Sequence, residues 1–151
     1  MKDFIIYIDG SSKRNTDKST KRYRRLSGCG VVILDTNKNI ILEKSIGFEN
    51  SISTRMEIMA AIVALNEIKP GSNITIFSDN KTLVDAKNDK YIPKTNLDLW
   101  NKLNILEKGK SVNYIYVKGH GEDEFNILAD KLAVNAPNIC LLKEKDYLKS
   151  I

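Results

Sequence analysis

Residues 53–65 read Ser53-Thr54-Arg55-Met56-Glu57-Ile58-Met59-Ala60-Ala61-Ile62-Val63-Ala64-Leu65, and the reading of this stretch decides the fold. Ile58, Ile62 and Leu65 recur at helical spacing and Met59 and Val63 widen the stripe, which predicts the first helix of the chain with one face buried. Ala60, Ala61 and Ala64 favour the helix and allow a sheet to approach closely. Thr54 stands where an N-cap belongs, and Pro70-Gly71 stops the helix a few residues past Leu65. Glu57 is the odd residue, an acid in the opening turn of a mostly apolar helix. Thr54-x-x-Glu57 fits a capping box, and an early acid suits the helix dipole. Taken alone, the helix does not separate a capping Glu57 from a functional one.

Working outward, Phe4 to Ile8 is a continuous apolar run rich in β-formers, ended by Asp9-Gly10-Ser11-Ser12. It predicts a buried strand with an acid at its C-terminal edge. Gly28 to Leu34 and Ile40 to Ile46 predict a hairpin about the turn cluster Asp35-Thr36-Asn37-Lys38-Asn39, the glycines marking close backbone approach. After the helix, Asn73 to Ser78 is a fourth strand ended by Asp79, and Lys81 to Lys87 a short helix. Leu97 to Leu106 forms a third helix with Leu99, Leu103 and Leu106 inward, and Val112 to Val117 a fifth strand. The Gly-flanked loop Lys118 to Glu124 precedes a helix from Phe125 to about Asn135, followed by a tail with room for one more short amphipathic helix. This alternation predicts an α/β fold, a five-stranded mixed sheet with helices on both faces, in a single domain spanning 1–151.

The totals fit that picture. A chain of 151 residues, 42% hydrophobic and 28% charged, is an ordinary globular domain. No run approaches the ~18 apolar residues of a membrane span, and Met1-Lys2-Asp3-Phe4 lacks the apolar core of a signal peptide. Cys29 and Cys140 lie far apart in no metal-ligand pattern, consistent with reduced thiols, so a cytoplasmic protein is expected. Charge is uneven. Lys13, Arg14, Lys18, Lys21, Arg22, Arg24 and Arg25 face Asp17 alone within 13–25, while the whole chain is only +5. One basic loop on a near-neutral body predicts a local anionic partner such as nucleic acid; a solvated loop that aids solubility is the competing reading.

Chain order brings the acids together. A right-handed crossover through the first helix returns the fourth strand parallel to the first. If the two are neighbours, Asp9 and Asp79 stand side by side at the C-terminal strand ends where α/β sheets place ligands, and Glu57 starts from that edge. Each acid has a plain alternative: Asp9 as a turn residue, Asp79 as an N-cap, Asp130 as a solvated helix residue. Together they are costly without compensating cations. Oxygen ligands with a single histidine, His120, in the chain favour Mg²⁺ or Mn²⁺ over zinc. Two such ions about 4 Å apart can clamp a phosphodiester displacement, which points to a nuclease.

Tyr7-Ile8-Asp9-Gly10-Ser11, Arg55-Met56-Glu57-Ile58-Met59-Ala60-Ala61, Ser78-Asp79-Asn80, Asp98-Leu99-Trp100 and Val117-Lys118-Gly119-His120, followed by Asn126 and Asp130, form an ordered set. In these motifs the chain resembles the type 1 ribonuclease H family over roughly residues 4 to 135, leaving 136–151 as a C-terminal tail. The resemblance implies an endoribonuclease that cuts the RNA strand of RNA–DNA hybrids, leaving a 3′-hydroxyl and a 5′-phosphate. It implies that Asp9, Glu57, Asp79 and Asp130 bind two Mg²⁺ ions, with Mn²⁺ a possible substitute, and that His120 assists proton transfer or product departure. Gly10, Ser11 and Glu57 resemble positions that read 2′-hydroxyls. Ser53, Thr54, Arg55, Asn80 and Asn126 complete the implied substrate contacts. A monomer with the hybrid as its partner, no obligatory protein partner and no membrane association, is expected.

The sequence departs from the family in places. Ser53-Thr54 stands where the family commonly has paired asparagines, and Ile52 where a phosphate-binding threonine often lies, with Ser51 or Ser53 available instead. The basic protrusion of some bacterial members shrinks to Lys87, Lys90 and Lys94. The loop after the first strand is longer and more basic than usual, and Arg22, Arg24 and Arg25 are expected to bind the substrate backbone in place of that protrusion. The alternatives are another nuclease of the same fold, a junction resolvase or exonuclease, and a non-catalytic hybrid-binding module.

Overall fold

In the computed structural model, which describes residues 2–17 and 22–151, one mixed sheet organises the chain. Strands β1 (Asp3–Asp17), β2 (Arg22–Leu34) and β3 (Ile40–Glu49) are antiparallel neighbours; β4 (Asn73–Ser78) and β5 (Ser111–Tyr116) add in parallel on the other side of β1. The order is β3-β2-β1-β4-β5. The helices are α1 (Ser53–Asn66), α2 (Lys81–Lys87), α3 (Leu97–Glu107), α4 (Glu124–Ile139) and α5 (Glu144–Ser150).

The apolar run of β1 has two buried faces, and period-2 alternation divides its side chains between them. Ile6 and Ile8 join Val31, Ile33, Ile74 and Ile76 beneath α1, α2 and α3. Ile5 and Tyr7 turn the other way, with Val32, Leu34 and Phe77, under Phe125, Leu128, Ala129 and Leu132 of α4. Helices therefore cover both faces of the sheet.

Four local expectations change. The first helix has no single buried stripe: every residue from Met56 to Leu65 is buried, because α1 lies between the sheet and α3. A helix enclosed on all sides carries no polar face, so its apolar character runs all round. Its N-cap is Ile52, with no side-chain cap, so the Thr54–Glu57 capping box does not form and Glu57 sits beyond the opening turn. Helix α4 passes through Pro137 to Ile139. Proline has no N–H for the carbonyl of Ala133, and that carbonyl faces β2, where a Cβ on Gly28 would lie 2.3 Å from it. Finally, the expected basic loop is largely strand: β1 and β2 pair out to Asp17↔Arg22, and only 18–21 of that stretch lie outside the described residues.

The tail docks rather than trails. Leu142 bonds backbone to backbone with Gly47 and Glu49 along the edge of β3, and Tyr147, Leu148 and Ile151 pack against the core. Among the described residues no helix is long and apolar enough to cross a membrane.

Candidate active site

β1 and β4 run parallel until Ile8↔Ser78, so the next residue on each strand, Asp9 and Asp79, emerges at the same sheet edge. Glu57 reaches that edge from α1. Gly10 makes the approach possible, since a Cβ there would meet the Glu57 amide nitrogen and the Met56 carbonyl carbon, each at 2.6 Å. Asp9, Glu57 and Asp79 each present a carboxylate oxygen such that all three lie within 4.8 Å of one another. Asp9 is 4% exposed and Glu57 7%.

The electrostatics are those of carboxylates crowded without a cation. Burial raises the Asp9 pKa most, to about 8, with Asp79 and then Asp130 adding to the rise. Burial and then the Asp9 charge push Glu57 well up. Asp79 is raised, chiefly by burial, while His120 is close enough to oppose the shift. One oxygen, Glu57 Oε2, is buried with no hydrogen-bond partner. An acceptor left bare in a dry site costs about 1–3 kcal/mol. An all-oxygen donor set with a bare acceptor fits a hard divalent cation, which these residues could hold.

The other expected residues distribute as follows. Asp130, half-buried on α4, stands near enough to Asp9 and Asp79 to raise both, but lies outside the tight group of three. Asp79 does not cap α2; Asn80 does, its Oδ1 accepting from the Leu83 amide at 2.8 Å. His120 is exposed with a left-handed φ of 54°, on a loop whose Gly119 packs against Asp79, Oδ2 lying 3.1 Å from where its Cβ would be. Ser53 and Thr54 are exposed, and Thr54 and Asn80 line one cavity of about 260 Å³ beside the carboxylates, together with Ile58, Tyr91, Lys94 and Trp100. Ser51 is buried, its hydroxyl donating to Glu144 and its carbonyl accepting from Ser12 and Ser27.

Arg55 is held within the protein. Its guanidinium pairs with Asp98 at 2.7 Å and Glu144 at 3.1 Å, and donates to Asn96. Asn126 is 3% exposed; its amide donates to Asp123 Oδ1, and its own Oδ1 has no partner. Arg25 follows Arg24 on β2, opposite Arg14 in register, with Arg22 opposite Asp17.

Two supports escaped sequence reasoning. The Tyr7 hydroxyl donates to Asp123 Oδ2 across 116 positions, tying β1 to the residue that caps α4. Glu144 fastens α5 to the start of α1 through Ser51 and Arg55. An Asp before a helix is a legible cap signal, but no local pattern announces either long-range pairing.

A mixed sheet with carboxylates gathered where adjacent parallel strands end defines an α/β protein with a candidate divalent-cation site. The RNase H family profile matches residues 1–138. The ribonuclease H of Clostridium botulinum strain Hall is 31% identical over 150 residues, covering 90% of this chain and 96% of the relative. In fold, the chain is similar to RNase H1 of Halobacterium salinarum NRC-1 (TM-score 0.73, 19% identity, 91% of this chain and 99% of that one). It is likewise similar to LC11-RNase H1 solved in complex with an RNA/DNA hybrid (TM-score 0.73, 21% identity, 90% and 97%). The chain belongs to the ribonuclease H family.

Proposed function

We propose that this protein is an endoribonuclease that hydrolyses the RNA strand of RNA–DNA hybrids, leaving 3′-hydroxyl and 5′-phosphate ends. The observation that carries the reading is the group Asp9, Glu57 and Asp79, within 4.8 Å at the sheet edge with a bare Glu57 oxygen, in a chain of this family. The hybrid bound to LC11-RNase H1, a protein of like fold, supports the substrate class.

Asp9, Glu57 and Asp79, with Asp130 beside them, would hold two Mg²⁺ ions when substrate is bound, and Mn²⁺ suits the same oxygens. Such cations neutralise the phosphate and activate water for in-line attack. The protein's own groups do the rest. The rigid, enclosed α1 fixes the Glu57 carboxylate, and Gly10 lets β1 approach it. His120, on its exposed loop against Asp79, takes up or returns a proton at the reacting oxygens. Gly10, Ser11 and Glu57 contact 2′-hydroxyls; Thr54 and Asn80, which border the neighbouring cavity, and the exposed Ser53 contact the strands there. Arg55 and Asn126 act on substrate through the elements they position. Lys and Arg of the basic β1–β2 extension, including Arg22, Arg24 and Arg25, bind phosphates of the duplex.

The whole of 1–151 works as one catalytic domain, as a cytoplasmic monomer. The test is cleavage of labelled RNA–DNA hybrid, duplex RNA and branched DNA with Mg²⁺, alongside Asp9→Asn. Hybrid cleavage lost in Asp9→Asn is the expected result; full activity in that variant would overturn the reading, and selective cleavage of branched DNA would favour a resolvase.

A further inference from the structure

β1 does not end at the carboxylates. Its pairing with β4 stops at Ile8↔Ser78, yet β1 continues to Asp17, paired with β2 throughout. The pairing of β2 with β3 reaches only to Leu26↔Glu49. Residues 13–17 and 22–25 therefore form a two-stranded antiparallel ribbon to which, among the described residues, no third strand pairs. It leaves the sheet from the side on which Asp9 and Asp79 emerge.

A lone two-stranded ribbon is marginally stable in water, and among its described side chains Lys13, Arg14 and Arg25 belong to neither hydrophobic core. Its composition suits another purpose. The two strands carry Lys13, Arg14, Arg22, Arg24 and Arg25 against Asp17 alone, and Arg14 stands directly opposite Arg25. Like charges opposite one another disfavour a ladder. A polyanion laid along the ribbon reverses that sign, because each cation that meets a phosphate releases a counterion.

The reach follows from strand geometry. From Asp9 to Asp17 the chain advances about 26 Å at ~3.3 Å per residue. Against roughly 3.4 Å per nucleotide pair, that spans about seven to eight base pairs of duplex. We infer that the ribbon is a second duplex-gripping element, holding the phosphate backbone about seven base pairs from the scissile phosphate, and that it makes the enzyme prefer long hybrids. The inference rests on the hybrid-cleaving function proposed above and adds to it where the duplex is held and how long it must be.

The experiment compares KM for hybrids of about 8 and about 24 base pairs, cut centrally, since only the longer extends to the ribbon. The proteins are the full chain, a variant with Lys13, Arg14, Arg22, Arg24 and Arg25 all changed to Ser, and one with the four arginines changed to Lys. The unaltered protein is expected to show a KM at least tenfold lower for the long hybrid. The serine variant should bring that ratio to about one, with a shallower salt dependence on the long hybrid. The lysine variant, which keeps charge, should retain the preference and so separate phosphate binding from a folding defect. Equal KM for both lengths in the unaltered protein, or a preference that survives in the serine variant, overturns the inference. The same comparison by binding to the Asp9→Asn protein separates the two readings. Absent cleavage by the unaltered protein at both lengths, with a length preference retained in binding, would reject the catalytic reading and uphold the ribbon.

Discussion

Gly10 lies directly against the backbone of Glu57: a Cβ at residue 10 would come within 2.6 Å of the Glu57 amide nitrogen. The contact joins β1 to α1 at the point where both deliver an acid. Gly10→Ala must push the helix away, at a cost of about 1–3 kcal/mol for overpacking. It also displaces Glu57 from Asp9, and a shift near 1 Å can lower the rate ~100-fold. Thermal unfolding and hybrid cleavage on the same sample check both effects, and a cleavage rate near that of the unaltered protein would refute the link.

The crowded carboxylates make stability and activity oppose each other. Burial and then Asp79 raise the Asp9 pKa, and burial and then Asp9 push the Glu57 pKa well up. The folded, cation-free protein therefore binds more protons than the unfolded chain above the ordinary carboxylate range. Its stability should fall as pH rises from about 4 towards about 8, the value to which Asp9 is pushed. Added Mg²⁺ should reverse the fall, since it binds the folded state alone. Denaturant titration across that range, with chelator and with Mg²⁺, reads the sign directly.

By the same reasoning, Asp9→Asn removes one of the mutually repelling acids. Without divalent cations it should be more stable at pH 8 than the unaltered protein, by roughly 1–2 kcal/mol, while losing cleavage. A less stable Asp9→Asn protein would show that the acids are compensated in some other way.

Arg55 holds α1, α3 and α5 together through Asp98 and Glu144. Arg55→Ala should cost about 2 kcal/mol. The Arg55→Ala, Glu144→Gln double-mutant cycle should show coupling of about 0.5–3 kcal/mol, because both changes break one network. Additive losses would mean that the pair contributes little; the Asp98 carboxylate is largely solvated and weakens that part of the network.

His120 carries a different kind of prediction. It is exposed and outside the core, so His120→Ala should leave stability and KM nearly unchanged while lowering kcat by roughly 100-fold. Steady-state kinetics at saturating Mg²⁺ measures this, and an unchanged kcat would deny the histidine a proton-transfer role.

Much of this molecule was legible along the chain. The apolar runs of β1 and β4, each ended by an aspartate, and the helical spacing of 58–65 announced the elements, because side-chain periodicity follows backbone geometry wherever a face is buried. The ordered motifs then indicated which acids belong together. Tertiary structure decided what lies across the chain. Glu57 keeps a bare Oε2 instead of capping because Ile52 begins the helix and Gly10 brings β1 beneath it. Arg55 is an internal tie because Asp98 and Glu144 arrive from distant helices. Tyr7 meets Asp123 only once α4 has docked. The basic segment reads locally as a polar loop, since cations have weak strand propensity, yet continuing the β1–β2 register carries it outward as a ribbon. Local pattern specifies the elements and their chemistry, while the pairing of distant residues, which no short-range propensity encodes, sets their geometry.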